Sequence, residues 1–151
     1  MRQRSVVEVD GVRVESSTRA PVLILKEKDG VRFLPIWISH FDASLIVQTL
    51  DPDEPEPISI HRLVADRCQQ MSLHITSYSA GIFEGEIHCR DSVWPSRISD
   101  IAVVSLLTQC PIEVEASVMD EAAVDLWGID SDEVEDFKRF IDGVTASQFD
   151  I

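Results

Sequence analysis

No apolar run in this 151-residue chain approaches the roughly 18 residues that a membrane-spanning helix needs. The sequence therefore reads as having no helical membrane anchor. Met1-Arg2-Gln3-Arg4 leads into a mixed polar segment, not into the apolar core of a signal peptide. The cytoplasm is the expected compartment. Cysteine is sparse: Cys68, Cys89 and Cys110 stand far apart, with no Cys-x-x-Cys pair and no zinc spacing. Buried or idle thiols are expected. His88 and Cys89 are neighbours on a strand and point to opposite faces, which argues against a nucleophilic cysteine. There is no glycine-rich dinucleotide fingerprint, phosphate-binding P-loop, HExxH or GxSxG motif. Internal repeats and low-complexity tracts are absent too.

Basic residues are also short. Thirteen Lys and Arg face 27 Asp and Glu, a net charge of −14. That balance opposes nonspecific attraction to DNA, RNA or anionic membranes, which depends on clustered Lys and Arg. After Val114 the only basic residues are Lys138 and Arg139. Most of the base lies in the first third, at Arg2, Arg4, Arg13, Arg19, Lys26, Lys28 and Arg32. Any phosphate-binding surface is expected there or near Arg97.

What is present fits one domain with a real core. Ser5–Val9 and Val12–Val14 flank Asp10-Gly11, and Pro21–Lys26 and Val31–Ile38 flank Asp29-Gly30. Asp-Gly between apolar runs predicts two hairpins. Pro35 puts its strand at an edge or a bulge. Ser39 and Asp42 read as a capping box opening a helix with Phe41, Leu45, Ile46 and Leu50 on one face. The proline-rich run Asp51–Pro57 reads as a stiff acidic connector without the glycine and terminal Glu of a calcium loop. Ile60–Met71 reads as a second helix. Ser72–Tyr78 and Ile82–Cys89 read as strands joined by Ser79-Ala80-Gly81. A short strand follows at Pro111–Val114.

The spacing of Val134, Phe137 and Ile141 predicts a last, amphipathic helix over Asp130–Asp142, ended by Gly143 and anchored by Trp127 and Phe149. The order implies an α+β fold: a mixed or antiparallel sheet with N-terminal hairpins, three packed helices and a C-terminal helix. The domain is expected over residues 1–125, with an acidic helical extension over 126–151. Edge strands, Trp37, Trp94, Trp127 and the tail helix offer association surfaces, so a homodimer is the default expectation.

Arg97-Ile98-Ser99-Asp100 is the most informative stretch. It precedes the apolar pattern Ile101–Leu107, and Ser99 or Asp100 suits the helix N-cap. A helix start offers free N–H groups and partial positive charge, and an Arg beside it can grip a phosphate. The plain alternative is an ordinary cap with Arg97 paired to a carboxylate.

Several segments together resemble the bifunctional nuclease family. They are Leu34-Pro35-Ile36-Trp37-Ile38 with Asp42-Ala43, His61 with Leu63, Arg97-x-Ser99-Asp100, Pro111-Ile112, and the tail Phe137–Val144 followed by Phe149. The likeness runs over nearly the whole chain. Ile98 stands where the family usually has proline, Arg62 where it has aspartate, and Ser39 where glycine is common. The resemblance implies phosphodiester hydrolysis of DNA or RNA. Asp42 and Asp100 would then hold Mg2+ or Mn2+, Arg97 and Arg62 would stabilise phosphoryl oxygens with Ser99 nearby, and His61 would act as acid or base. The competing reading is a non-catalytic regulatory or interaction module, with Arg97 and Asp100 as a structural link. Convergence of Arg97, Asp100 and His61 on one solvent-open cleft favours the first; burial or scatter favours the second.

Overall fold

The computed structural model describes residues 3–125 and 141–143. Among these, nine strands form one sheet in the order β6-β5-β4-β7-β1-β2-β3-β8, with β9 also paired to β1. The strands are β1 (Arg4–Glu15), β2 (Pro21–Glu27), β3 (Arg32–Trp37), β4 (Ser72–Ser79), β5 (Ile82–Cys89), β6 (Ser92–Ser96), β7 (Ile112–Glu115), β8 (Val124–Asp125) and β9 (Ile141–Gly143). The helices are α1 (His40–Leu50), α2 (Ile60–Arg67), α3 (Ile98–Thr108) and α4 (Ala116–Ala122). β4 and β7 run parallel; the other described pairings are antiparallel. The fold is α+β with a mixed sheet. None of the described helices is long and apolar enough to cross a membrane.

The hairpin at Asp29-Gly30 forms as the sequence predicts, joining β2 to β3. Asp10-Gly11 is different. β1 runs straight through it, and the register against β2 slips between Val9 and Gly11. The pair is a bulge rather than a turn, because one long strand lets Val7 pair with β7 and Val12 with β2. The β4–β5 turn places Ala80 at φ 51° and Gly81 at φ 83°, the positive angles that tight hairpin turns demand. Pro35 lies on the outer side of the sheet path, where β8 covers only Arg32 and Phe33. Its missing N–H therefore costs no ladder bond there.

β2 is buried from Pro21 to Leu25. α3 is buried almost all round, through Ile98, Ile101, Ala102, Val103 and Val104, as a helix between a sheet and two other helices must be. α1 departs from the expected face. Ala43 and Ile46 are buried, whereas Phe41 is 61% exposed and Leu50 37% exposed. The helix turns its Asp42 side inward instead. The second helix stops at Arg67, short of the expected Met71, because Cys68 is its C-cap in extended conformation.

Cys68 is also not idle. It is disulfide-bonded to Cys89, at the end of β5, with Cα atoms 5.3 Å apart; Cys110 is free. The expected tail helix over Asp130–Asp142 does not hold at its end, since Ile141 and Asp142 belong to β9 and pair antiparallel with Glu15 and Val14. The rest of that helix, with Trp127 and Phe149, lies outside the described residues.

Gly85 decides how closely α3 sits on the sheet. A Cβ there would collide with the Ile101 methyl and come within 2.9 Å of that of Ile98 and 3.0 Å of the His74 carbonyl oxygen. Gly85→Ala should therefore destabilise the fold by about 1–3 kcal/mol through overpacking, read as a lowered Tm; an unchanged Tm would show that α3 has room to retreat. The disulfide gives a second expectation. Reduction, or Cys89→Ser, should cost about 2–4 kcal/mol, with the fastest new amide exchange in residues 60–67 if the bond is what tethers α2.

Candidate functional site

Three helices begin at one place. Asp42 is the third residue of α1, His61 the second of α2, and Arg97 and Asp100 are the N-cap and third residue of α3. Each helix start carries unpaired N–H groups and partial positive charge. First-turn carboxylates Asp42 and Asp100 suit two of them. α1 is capped by Ser39, whose hydroxyl oxygen accepts from the Asp42 N–H at 3.1 Å. The capping box is only half made, because the Asp42 carboxylate turns to Arg97. α3 starts earlier than the pattern suggests. Its N-cap is Arg97 with φ −69° and ψ 150° and no side-chain cap bond, and Ser99 and Asp100 lie inside its first turn.

Arg97 holds the cluster together. Its Nη1 and Nη2 donate to Asp42 Oδ2 and Oδ1 at 3.1 and 3.3 Å. Its Nε and Nη2 donate to Asp100 Oδ2 and Oδ1 at 3.0 and 3.1 Å. This is the planar fork geometry in which Arg matches carboxylates best. The Arg97 side chain is 64% exposed while that of Asp42 is 9% exposed. The guanidinium thus caps a buried carboxylate from the solvent side. Its charge is held more firmly than usual, first by the hydrogen bonds to Asp100.

His61 approaches from α2. Its Nε2 lies 2.8 Å from Asp100 Oδ1. Burial pushes the Asp100 carboxyl up, but the hydrogen bonds from Arg97 and His61 outweigh it and hold the pKa below the ordinary value. Asp100 is therefore an ionised acceptor at neutral pH, and His61 Nε2 carries the proton it donates. The other ring nitrogen, Nδ1, is buried without a hydrogen-bond partner. Through Nε2, His61 is placed to hold Asp100.

The other candidate residues do not join these ion pairs. Arg62 turns to the acidic connector and its own helix, pairing with Glu56 and with Asp66 at 3.3 Å. Ser99 is buried in the first turn of α3, and the cluster's ion pairs are made without it. As arranged, Asp42 and Asp100 do not fit a divalent cation. All four of their oxygens accept hydrogen bonds, and a cation between them would take the position Arg97 holds. Among the described residues no group of three His, Cys, Asp or Glu side chains is arranged to hold a metal ion.

Beside the cluster, between α2 and the β5–β6 edge, lies a cleft of about 710 Å³. Leu63, Val64, Ile87, Trp94 and the Cys68–Cys89 disulfide make its apolar walls, and Arg67 and Ser96 complete it. Sequence reading missed this cleft. The local signal lies in Leu63 and Trp94, apolar side chains that remain 54% and 58% exposed, but exposure is not visible in a periodicity.

Comparison with known proteins now bears on the cluster. A family model described as the bifunctional nuclease domain matches residues 23–126, a span that includes all four clustered side chains. Two proteins of Mycobacterium tuberculosis, uncharacterized protein MT1877 of strain CDC 1551 / Oshkosh and uncharacterized protein Rv1829 of strain ATCC 25618 / H37Rv, are each similar to this chain. Each is 32% identical over 158 residues, covering 95% of this chain and 96% of the relative.

The cluster makes a prediction about stability. Arg97→Ala leaves the Asp42 carboxylate buried and unpaired and should cost about 2–3 kcal/mol after allowance for the exposed guanidinium, a Tm loss of roughly 6–10 °C. The pH dependence has a definite sign. A carboxylate whose pKa is lowered on folding contributes stability above its unfolded value, about pH 4, and loses it as pH falls through the lower folded value. The wild-type advantage over Asp100→Asn should therefore be full at neutral pH and shrink below about pH 4 in paired thermal melts. A difference independent of pH would place Asp100 outside the network.

Proposed function

The chain belongs to the bifunctional nuclease domain family, and from that premise we propose that the Asp42–Arg97–Asp100–His61 cluster is a site for hydrolysing phosphodiesters of DNA or RNA. The observation that carries this reading is convergence. Four side chains from three helix starts meet, and the one cation among them faces solvent with its side chain 64% exposed.

Hydrolysis needs charge neutralisation at phosphorus, a positioned water and a route for the leaving oxygen's proton. The outward side of the Arg97 guanidinium meets the non-bridging oxygens. Asp42 and Asp100 fix its plane beforehand, so little reorganisation accompanies binding. Asp100, with its side chain 30% exposed, is the acceptor that orients the attacking water, and His61 keeps its carboxylate in place. A carboxylate held below its ordinary pKa is a weak base, so its work here is orientation rather than full proton removal. As the water oxygen bonds to phosphorus and the bond to the leaving oxygen breaks, the water's proton passes through solvent at the exposed face to that leaving oxygen. No step is routed through a metal, because the carboxylates are already engaged.

A second reading has its own support. One guanidinium against two carboxylates leaves the cluster net negative, and most of the Arg97 N–H groups are spent inside it. That arrangement suits a structural link in a non-catalytic interaction module.

End-labelled single-stranded and duplex DNA and RNA oligonucleotides separate the two readings. The wild type should cleave at least one of them, and Arg97→Ala and Asp100→Asn should each lose about 10²-fold or more in rate, as expected for a group that stabilises transition-state charge. Cleavage equal in wild type and both variants is contamination and sinks the proposal. Folded protein without cleavage, with Arg97→Ala lowering only Tm, supports the structural link. Activity abolished by EDTA would mean that Arg97 yields its place to a cation, which overturns the metal-free account.

A further inference from the structure

We propose that the cleft between α2 and the β5–β6 edge is a pocket for an unpaired base of single-stranded nucleic acid, with Trp94 as its stacking platform. The proposal rests on reading the neighbouring cluster as a phosphodiester site, and supplies the substrate class that reading leaves open.

The cleft and the cluster are neighbours along α2 and β6, although no cluster side chain lines the cleft itself. Ser96 lines the cleft and the next residue is Arg97. Leu63 and Val64 line it from the same short helix that carries His61 to Asp100. Arg97 lines the adjoining hollow, which shares Ser96 with the cleft, so a strand with its base in the cleft has its phosphates within one residue of β6 from Arg97. The volume, about 710 Å³, lies within the usual range of small-ligand sites.

The lining has the chemistry of a base site. Leu63, Val64 and Ile87 supply apolar walls, and Trp94 presents an indole that is 58% exposed. Bases stack on aromatic side chains without regard to sequence, since every base has a π-face. Charge complementarity points the same way. This chain carries 27 acidic residues, yet the one charged side chain among the lining residues is Arg67. A flat apolar group on an anionic backbone is what such a surface accepts. A base stacked inside a duplex does not offer its faces, so the occupant is unpaired. With a net charge of −14 the molecule gains little from general attraction to a polyanion. Stacking and the Arg67 cation supply the affinity, since the charge of Arg97 is already balanced by Asp42 and Asp100.

Fluorescence anisotropy with end-labelled 12-mers tests this on the full chain in low salt at 4 °C: oligo(dT), oligo(dA), oligo(rA), an abasic 12-mer with the same phosphates, and a 12-base-pair duplex. Base-bearing single strands should bind at least about tenfold more tightly than the abasic strand and the duplex. Trp94→Ala should remove that tenfold advantage, Trp94→Phe should keep most of it, and neither should change abasic binding; unchanged Tm values confirm that both variants fold. With one uncompensated arginine–phosphate contact, at Arg67, log Kd should change with log salt by roughly 0.7 per decade.

Equal binding of abasic and base-bearing strands, or tighter binding of the duplex, overturns the pocket. If oligonucleotide cleavage persists in that case, the phosphodiester reading stands without it. Base-dependent binding without cleavage keeps the pocket and fails the hydrolytic reading. No binding by the wild type overturns the pocket outright. Concentration-dependent dimerisation in sedimentation, abolished by Trp94→Ala, would assign the cleft to a second copy of the chain and also overturn the proposal.

Discussion

The guanidinium of Arg97, held between Asp42 and Asp100, is the interaction on which the helical layer depends. It joins α1 to α3 across 55 residues of sequence, and Asp100 passes the connection on to α2 through His61. Three helix N-termini, each with partial positive charge, would repel one another if left bare. Two carboxylates in their first turns offset that repulsion, and Arg97 then balances the carboxylates. The cluster therefore answers a problem created by the packing itself. It also leaves an exposed cation at the one point where three helices start, and for that reason one set of residues can be read as a fold device or as a site.

α2 shows how little else holds this region. Of its eight residues only His61 is buried, and Ile60 and Leu63 stay largely exposed. Its two ends are fastened differently: the start by the His61–Asp100 hydrogen bond, the end by the Cys68–Cys89 disulfide. A helix this short has marginal stability of its own, so its position comes from those two fastenings and from Val64, which packs against the core. The cleft exists because α2 is pinned at both ends yet does not press its apolar side onto β5 and β6. Position in the family, the charged cluster and the apolar cleft thus meet on one short element.

Much of the sheet was legible in the chain. Alternation marked β4 and β5, and Asp29-Gly30 marked the β2–β3 hairpin. Helical spacing marked α1 and α3. The errors have physical causes. Asp10-Gly11 carries turn chemistry, but long-range pairing on both sides of β1 turned it into a bulge. The Asp42 side chain had a local partner available in the capping box, and a charged partner from α3 won, because a guanidinium bonds a carboxylate more strongly than a backbone N–H does. Phe41 and Leu50 matched a helical face by spacing, yet the buried side of α1 is set by where α3 lies. Cys68 and Cys89, 21 residues apart, carry no local pattern at all.

The sequence by itself determined the secondary structure of most segments and the α+β class, through short-range rules of spacing, capping and composition. The family, and with it the candidates His61, Arg97, Asp100 and Asp42, entered through a resemblance carried by several motifs in order along the chain. The tertiary structure alone decided that Asp42 serves Arg97, that Arg62 pairs outside the cluster while Ser99 is buried in the turn between Arg97 and Asp100, that two cysteines are joined, and that an apolar cleft opens between α2 and the β5–β6 edge. Each of those depends on contacts between residues distant in the chain. Their geometry is fixed by how the helices settle on the twisted sheet, and no local pattern encodes it.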